Sequence, residues 1–201
     1  MVEQSIWMRK VAADPGHSDW YIERFRSMAR DGKDLVGEAR MIDAMVPRGA
    51  RILDAGCGPG RVGGYLATVG HQVVGVDVDP ALIAAAAQDY PGPQWLVGDL
   101  AELDLPARGI AEPFDVIVSA GNVMAFLAPS TRGQVLKRLR AHLADDGRAV
   151  IGFGAGRDYE FADFLQHAAA AGFAPDVLLS SWDLRPFTDD SDFLVALLRA
   201  A

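Results

Sequence analysis

The sequence predicts an α/β fold built on a largely parallel sheet, and three observations lead to it. From residue 50 onward, short apolar segments alternate with longer amphipathic or alanine-rich segments. The apolar segments are nearly continuous, as in residues 114–119, which is typical of parallel strands covered on both faces. Only eight residues separate the last two apolar segments, so those two strands are expected to form an antiparallel hairpin.

Seven strands and the helices between them follow one another along this part of the chain. The strands are predicted at residues 51–54, 72–77, 94–97, 114–119, 148–153, 177–184 and 193–199. The helices are predicted at residues 61–69, 80–90, 129–143 and 161–171. Asp79 is a suitable N-cap for the second of these helices because Pro80 follows it at the first helical position.

The first 46 residues have a different pattern, with helices but no strands. One amphipathic helix is predicted around residues 20–28 and a second at residues 35–46. We therefore expect a helical cap segment at residues 1–46 and one compact domain at residues 47–201. Trp20 and Phe25, in the first of these helices, are expected to pack in the core.

The composition is that of an ordinary globular protein of 201 residues, half of them hydrophobic. A net charge of −8 argues against a nucleic-acid partner. The single cysteine, Cys57, excludes an internal disulfide and favours the cytoplasm. No signal peptide is recognisable, and no apolar run reaches the roughly 18 residues of a membrane span. No ligand spacing suggests a metal site.

A glycine-rich loop, Asp-Ala-Gly-Cys-Gly-Pro-Gly, occupies residues 54–60 between the first predicted strand and a helix. Glycine tolerates a positive φ and lets a ligand approach the backbone. The N–H groups at the start of a helix attract negative groups. Three glycines in five residues therefore predict a ligand site. Cys57, inside this loop, is expected to have a lowered pKa because of the helix N-terminus.

Two carboxylates follow the neighbouring strands. Asp77 ends the second strand and is expected to accept hydrogen bonds from ribose hydroxyls. Asp99 ends the third strand, where it offers an acceptor to an adenine amine while Leu100 packs on the ring. Because the carboxyl ends of parallel strands meet at one edge of the sheet, these residues predict a nucleoside cofactor.

The glycines alone leave two kinds of cofactor open. The dinucleotide fingerprint Gly-x-Gly-x-x-Gly fails from Gly56, because Arg61 stands at its third glycine. The fingerprint matches from Gly58 to Gly63, but this match leaves Asp54 and Gly56 without a role. A nicotinamide-dependent oxidoreductase is therefore one alternative.

Four motifs resemble those of class I S-adenosylmethionine (SAM)-dependent methyltransferases. Residues 52–60 resemble the family's first motif, residues 74–77 its ribose-binding motif, and residues 98–100 its adenine-contact motif. Residues 114–119 resemble the fourth strand, and the terminal hairpin resembles the antiparallel seventh strand. The resemblance implies a Rossmann-like seven-stranded sheet in which only the last strand is antiparallel. It also implies SAM as methyl donor and S-adenosylhomocysteine as product.

The resemblance implies a set of cofactor contacts. The glycine loop would approach the methionine part, with Asp54 orienting the loop, and Arg40 would contact the SAM carboxylate. Val78 would touch the adenine, and backbone carbonyls after the fourth strand would meet the amino group. The residues expected to bind the cofactor are Tyr21, Arg26, Arg40, Asp54, Gly56, Cys57, Gly58, Asp77, Val78, Gly98, Asp99, Leu100, Ala120 and Gly121.

Three residues are candidates for handling a small-molecule methyl acceptor. His17 is a possible general base in a helical lid. Asn122 either positions the acceptor or serves as a turn residue, and Arg157 either pairs with an acceptor carboxylate or is a solvated loop charge. Residues 119–122 lack the Asn/Asp-Pro-Pro-Tyr signature of some DNA and protein methyltransferases. A non-catalytic SAM-binding protein is a further alternative, and the oligomeric state is not indicated.

Overall fold

The computed structural model describes residues 2–201 as a seven-stranded sheet flanked by helices. The strands are β1 (Arg51–Ala55), β2 (Gln72–Asp77), β3 (Gln94–Val97), β4 (Phe114–Ser119), β5 (Leu143–Gly154), β6 (Phe173–Leu179) and β7 (Phe193–Ala200). The α-helices are α1 (Ile6–Ala13), α2 (His17–Arg30), α3 (Gly37–Ala44), α4 (Arg61–Thr68), α5 (Pro80–Asp89), α6 (Val123–Phe126), α7 (Arg132–His142) and α8 (Phe161–Ala170). Within residues 2–201 every helix is too short or too polar to span a membrane.

The strands lie in the order β3-β2-β1-β4-β5-β7-β6, which confirms the predicted fold class. β1 pairs in parallel with β2 and β4, while β7 runs antiparallel between β5 and β6. The terminal hairpin is therefore inserted with its second strand inside the sheet and its first strand at the edge. A dinucleotide-binding sheet of strand order 3-2-1-4-5-6 lacks this arrangement.

Two strands differ from the predicted bounds by more than one residue. β6 spans Phe173–Leu179 instead of residues 177–184, because Phe173 pairs with Ala200 and the chain has turned by Leu184, whose φ is 69°. β5 begins five residues before the predicted position, where Leu143 pairs with Phe114 ahead of a β-bulge. Long-range pairing with neighbouring strands thus shifted β6 towards the N-terminus and lengthened β5.

Two main clusters of side chains form the core, one on each face of the sheet. On one face α7 and α8 cover residues such as Ile117 and Phe153. On the other face α3 and α4 cover Ile52 and Val116. A third, smaller cluster joins α1 and α2 to α5 through Trp7, Ile22, Leu82 and Ala85. Consequently α3 belongs to the body of the domain, whereas α1 and α2 are held by a separate apolar contact.

Candidate functional site

The glycine loop turns sharply between β1 and α4. Gly56 has a φ of +79°, and a Cβ at this position would lie 2.5 Å from the Val123 side chain, so only glycine fits there. Gly58 also has a positive φ, of +54°, but a Cβ there would meet nothing nearer than the Tyr21 ring at 3.8 Å. The first glycine is needed for packing, whereas the second leaves the backbone open to a ligand.

Asp77, at the end of β2, fixes the position of this loop. The Gly58 N–H donates to Asp77 Oδ2 at 2.8 Å, and the Asp79 N–H donates to Oδ1 at 3.0 Å. Burial raises the pKa of Asp77 to about 6, although these backbone donors favour the charged form. The carboxylate therefore lies beside the loop, at the edge where a ribose is expected.

Asp54, at the end of β1, is buried under the same loop, with 1% of its surface exposed. Its Oδ2 accepts a 2.9 Å hydrogen bond from the Gly63 N–H in the first turn of α4. Burial raises the pKa of Asp54 to about 7. This hydrogen bond joins the end of β1 to the first turn of α4 across the glycine loop.

Cys57 lines the same cavity, but its thiol is not activated. Burial raises the pKa of Cys57 well above its ordinary value, and the charges of Asp54 and Asp77 add to this effect. The expected lowering by the helix N-terminus is therefore wrong, because desolvation and two neighbouring carboxylates outweigh it. The Cys57 thiol is therefore protonated at neutral pH, and Cys57 serves as a small residue in the loop.

A cleft at the carboxyl edge of the sheet brings most of the predicted cofactor residues together. It holds about 850 Å³ of empty space, counting the part open to solvent. The predicted residues that line it are Tyr21, Asp54, Gly56, Cys57, Gly58, Asp77, Val78, Asp99, Leu100, Ala120 and Gly121. Towards β3, Asp99 Oδ1 accepts from the Ala101 N–H at 2.8 Å, and the buried Leu100 lies beside it.

Three predicted cofactor residues do not line the cleft. Arg26 is ion-paired with Asp89 on α5 at 2.9 Å, and Arg40 with Asp34 at 2.6 Å. Both arginine side chains are paired with carboxylates on the surface, so neither of them lines the cleft. Gly98 instead donates its N–H to the Asp77 carbonyl oxygen at 2.9 Å, which holds the end of β3 against β2.

The three acceptor candidates also lie outside the cleft lining. His17 is packed between aromatic rings, 4.9 Å from Trp7 and 5.6 Å from Trp20 between centroids. Asn122 is a turn residue with a φ of 67°, and its Oδ1 accepts from the Gly154 N–H at 2.8 Å. Arg157 is exposed. For the last two, the structure corresponds to the non-catalytic interpretation.

Several residues that the sequence does not single out for binding line the cleft, among them Arg61 and Phe25. Arg61, the first residue of α4, donates from Nη1 to Glu38 Oε2 at 2.8 Å and to the Leu35 carbonyl at 2.6 Å. Phe25 lies 5.5 Å from this guanidinium and lines the cleft instead of the core. Trp20 is 56% exposed, so the expectation that it is a core residue is wrong. Its position on the outer face of α2 explains the difference.

Asp79 anchors the two helices that cover the cleft. One oxygen accepts from the Ala81 N–H at 2.9 Å, which confirms the predicted N-cap of α5. The other oxygen accepts from Trp7 Nε1 at 2.8 Å and from Ser18 Oγ at 2.5 Å. A single buried carboxylate next to the Asp77 loop thus holds both α1 and α2. Among the described residues, no cluster of histidine, cysteine or acidic side chains is arranged to hold a metal ion.

Comparison with known proteins gives a consistent result. A family model described as a methyltransferase domain matches residues 52–147. A crystal structure of a TehB-like SAM-dependent methyltransferase from Corynebacterium glutamicum is 52% identical, with a TM-score of 0.88. The match covers 94% of this chain and all of that one.

Two more distant proteins extend the comparison. Magnesium-protoporphyrin O-methyltransferase of Rhodobacter capsulatus is 33% identical over 69% of this chain, which spans 60% of the length of that relative. The 1,6-didemethyltoxoflavin-N1-methyltransferase of Burkholderia thailandensis, solved with its substrate and S-adenosylhomocysteine, is 24% identical with a TM-score of 0.63. That match covers 92% of this chain and 89% of the other and shows a shared fold.

Proposed function

The chain belongs to the SAM-dependent methyltransferases, and on that premise we propose that it transfers the methyl group of SAM to a small molecule. The observation that carries the proposal is the cleft in which the glycine loop, Asp77 and Asp99 meet. An oxidoreductase is not favoured, because β7 is inserted in the sheet and the relatives are methyltransferases.

The residues around the cleft fit SAM along the edge of the sheet. Asp99 and Leu100, after β3, would hold the adenine, and Asp77, after β2, the ribose hydroxyls. Gly58 leaves its backbone open where the methionine part would approach. Ala120 and Gly121, after β4, would offer carbonyl groups to the amino group. The cofactor would thus extend across the ends of four neighbouring strands, β3, β2, β1 and β4, in their spatial order.

The main contribution of the protein to the reaction is to position the cofactor and the methyl acceptor. When bound, SAM supplies an electrophilic methyl group, and a lone pair of the acceptor forms the new bond as the bond to sulfur breaks. The aromatic side chains of Trp7, Phe25 and Phe126 line the cleft and would shield bound SAM from water. Asp54 and Asp77 accept hydrogen bonds from backbone N–H groups, so they serve the loop and the cofactor and not the acceptor.

Tyr21 is the side chain best placed to orient the reacting groups. Its ring faces Gly58, and its hydroxyl oxygen would be 3.9 Å from a Cβ on Gly121. Burial raises the pKa of Tyr21 above its ordinary value, so the hydroxyl stays protonated at neutral pH. We therefore assign the Tyr21 hydroxyl the role of a hydrogen-bond donor. Because it does not act as a base, the methyl acceptor must already have a free lone pair on its nucleophilic atom.

The proposed methyl acceptor is a small molecule. A small molecule is favoured over a nucleic acid because the chain carries a net charge of −8. The magnesium protoporphyrin and didemethyltoxoflavin named for two relatives are small ring systems. Within the N-terminal segment that precedes residue 47, α1 and α2 are proposed to form the movable cap, while α3 packs against the sheet of the domain at residues 47–201. The buried single cysteine is compatible with a cytoplasmic location.

Calorimetric titration tests the proposal directly. The protein is expected to bind S-adenosylhomocysteine saturably and to show no heat with NAD or NADP. A second assay offers radiolabelled SAM with panels of small acids, amines and phenols and counts the methylated product. Binding of NAD without S-adenosylhomocysteine would overturn the cofactor. Cofactor binding without transfer to any panel would instead favour a non-catalytic SAM-binding protein.

A further inference from the structure

We infer that Arg61, held by Glu38, recognises the α-carboxylate of the cofactor and makes the cleft selective for an intact amino-acid end. This inference rests on the proposed function, because it assigns a residue to one part of the same cofactor. The order of the strands gives the first argument. Adenine at β3 and ribose at β2 leave the region above β1 and β4 for the amino-acid end, and Arg61 starts the helix that follows β1.

The charges around the cleft give the second argument. Arg61 is the only lysine or arginine in the cleft lining, within the part of the chain that the structure describes. A carboxylate placed in this largely apolar cleft needs a cationic or hydrogen-bonding partner. The arginines Arg26 and Arg40 lie outside the cleft lining, on the surface, where each pairs with a surface carboxylate. Arg61 is therefore the charge available to the cofactor.

The geometry of the ion pair gives the third argument. Glu38 accepts from both terminal nitrogens of Arg61, and the two side chains are only 15% and 19% exposed. Although burial opposes ionisation, the hydrogen bonds from Arg61 hold the pKa of Glu38 below its ordinary value. The pair is thus ionised at neutral pH, and Glu38 fixes the plane of the guanidinium.

This arrangement suits a zwitterion. Among residues 2–201, Arg61 uses its terminal nitrogens for Glu38 and Leu35, and its Nε–H has no acceptor. The face of Phe25 lies 5.5 Å from the guanidinium and limits its movement. An α-carboxylate at this guanidinium would form a charge-assisted hydrogen bond, while the α-ammonium completes the charge balance of the buried pair.

The test compares ligands that differ only at the amino-acid end. Calorimetric titrations use SAM, decarboxylated SAM, which lacks the carboxylate, and methylthioadenosine, which lacks the whole amino-acid end. Wild-type protein is expected to bind SAM at least tenfold more tightly than decarboxylated SAM. Arg61→Met should weaken SAM binding about 10- to 100-fold and methylthioadenosine binding less than about threefold. Arg40→Met, a matched surface change in the neighbouring segment, should bind all three ligands like wild type.

A second variant keeps the test valid if the first one misfolds. Arg61→Met leaves the Glu38 carboxylate buried without its partner, so the double variant R61M/E38Q removes both charges. Its binding of methylthioadenosine reports a folded cleft. Equal weakening of SAM and methylthioadenosine in this variant, or no weakening of either, overturns the inference. If wild-type protein binds none of the three ligands, the proposed function itself fails.

Discussion

The two walls of the cleft are built in different ways. The sheet-side wall, formed by the glycine loop and the ends of β1 to β4, is joined to the core by backbone pairing and by buried carboxylates. The cap-side wall, formed by α1 and α2, depends on a small apolar cluster and on Asp79. Because of this difference, we expect the sheet-side wall to keep its shape without the cofactor and the cap to open without unfolding of the domain.

The largest expected effect is on the sheet-side wall. Gly56→Ala forces an L-residue into a φ of +79° and places its Cβ 2.5 Å from Val123. Strain and overpacking together should lower the free energy of unfolding by about 2–5 kcal/mol. Gly58→Ala, where the added Cβ has 3.8 Å of clearance, should cost about 1 kcal/mol in stability. Urea unfolding of both variants measures the difference. Equal losses would mean that the loop is not packed as described.

The next effect concerns the buried charge of Asp54. Burial raises the pKa of Asp54 from 3.8 to about 7, so between these pH values the folded state binds a proton that the unfolded chain has lost. The free energy of unfolding should therefore fall as pH rises through this range, by on the order of 4 kcal/mol.

Asp54→Asn keeps an acceptor for the Gly63 N–H and removes this titration. In the absence of cofactor, wild type should lose stability from pH 5 to pH 8 through the titration of Asp54, and the variant should not. The stability of the variant relative to wild type should therefore increase over this range. Urea unfolding at the two pH values checks the prediction. Asp77 contributes in the same direction in both proteins, since burial raises its pKa to about 6. Parallel stability profiles of the variant and wild type would show that Asp54 is not desolvated as strongly as its burial implies.

A smaller effect is expected from Asp77, the carboxylate proposed to bind the ribose. Asp77→Asn removes the charge and one acceptor oxygen, so the affinity for S-adenosylhomocysteine should fall about 10- to 100-fold. Asp89→Asn, which breaks only the surface pair with Arg26, is the matched control and should leave the affinity unchanged. Calorimetric titration measures both. An affinity of Asp77→Asn within threefold of wild type would remove this residue from the cofactor site.

The same two walls differ in how well the sequence predicts them. The glycine loop, Asp77 and Asp99 each follow a strand directly, so local signals place them at one edge of the sheet. The cap depends on contacts between residues far apart in the chain, such as Trp7 with Asp79, 72 positions away. No local pattern marks such a partner. The sequence pattern also does not predict helix α1, because only Trp7 in it is buried and its apolar periodicity is weak.

Arginines illustrate the same limit. Arg26 and Arg40 lie in the segment that is expected to cover SAM, which predicts that they contact the cofactor. In the structure each of them is paired with a surface carboxylate. Arg61 served only as evidence against a dinucleotide, although its position directly after the glycine loop was a usable signal. The side chain of the first residue of α4 points into the cleft, where Glu38 from α3 fixes it.

The smallest effect is expected at the cap, and it separates the two walls. Trp7→Phe removes the hydrogen bond to Asp79 but keeps an aromatic ring beside Tyr21 and Phe126. Loss of this bond should raise amide exchange rates in α1 and α2 about tenfold while leaving the core strands unchanged. Ser18→Ala, which removes the other side-chain donor to the same oxygen, should act alike.

Hydrogen–deuterium exchange read by mass spectrometry makes this measurement with and without S-adenosylhomocysteine. The ligand should slow exchange in α1 and α2 of both variants, because Tyr21 and Phe25 would close over it. If Trp7→Phe instead raises exchange in β1 and β4 as much as in the cap, the two walls unfold as one cooperative unit. The sheet-side wall would then depend on the cap for its stability, and cofactor entry would require more than the opening of two helices.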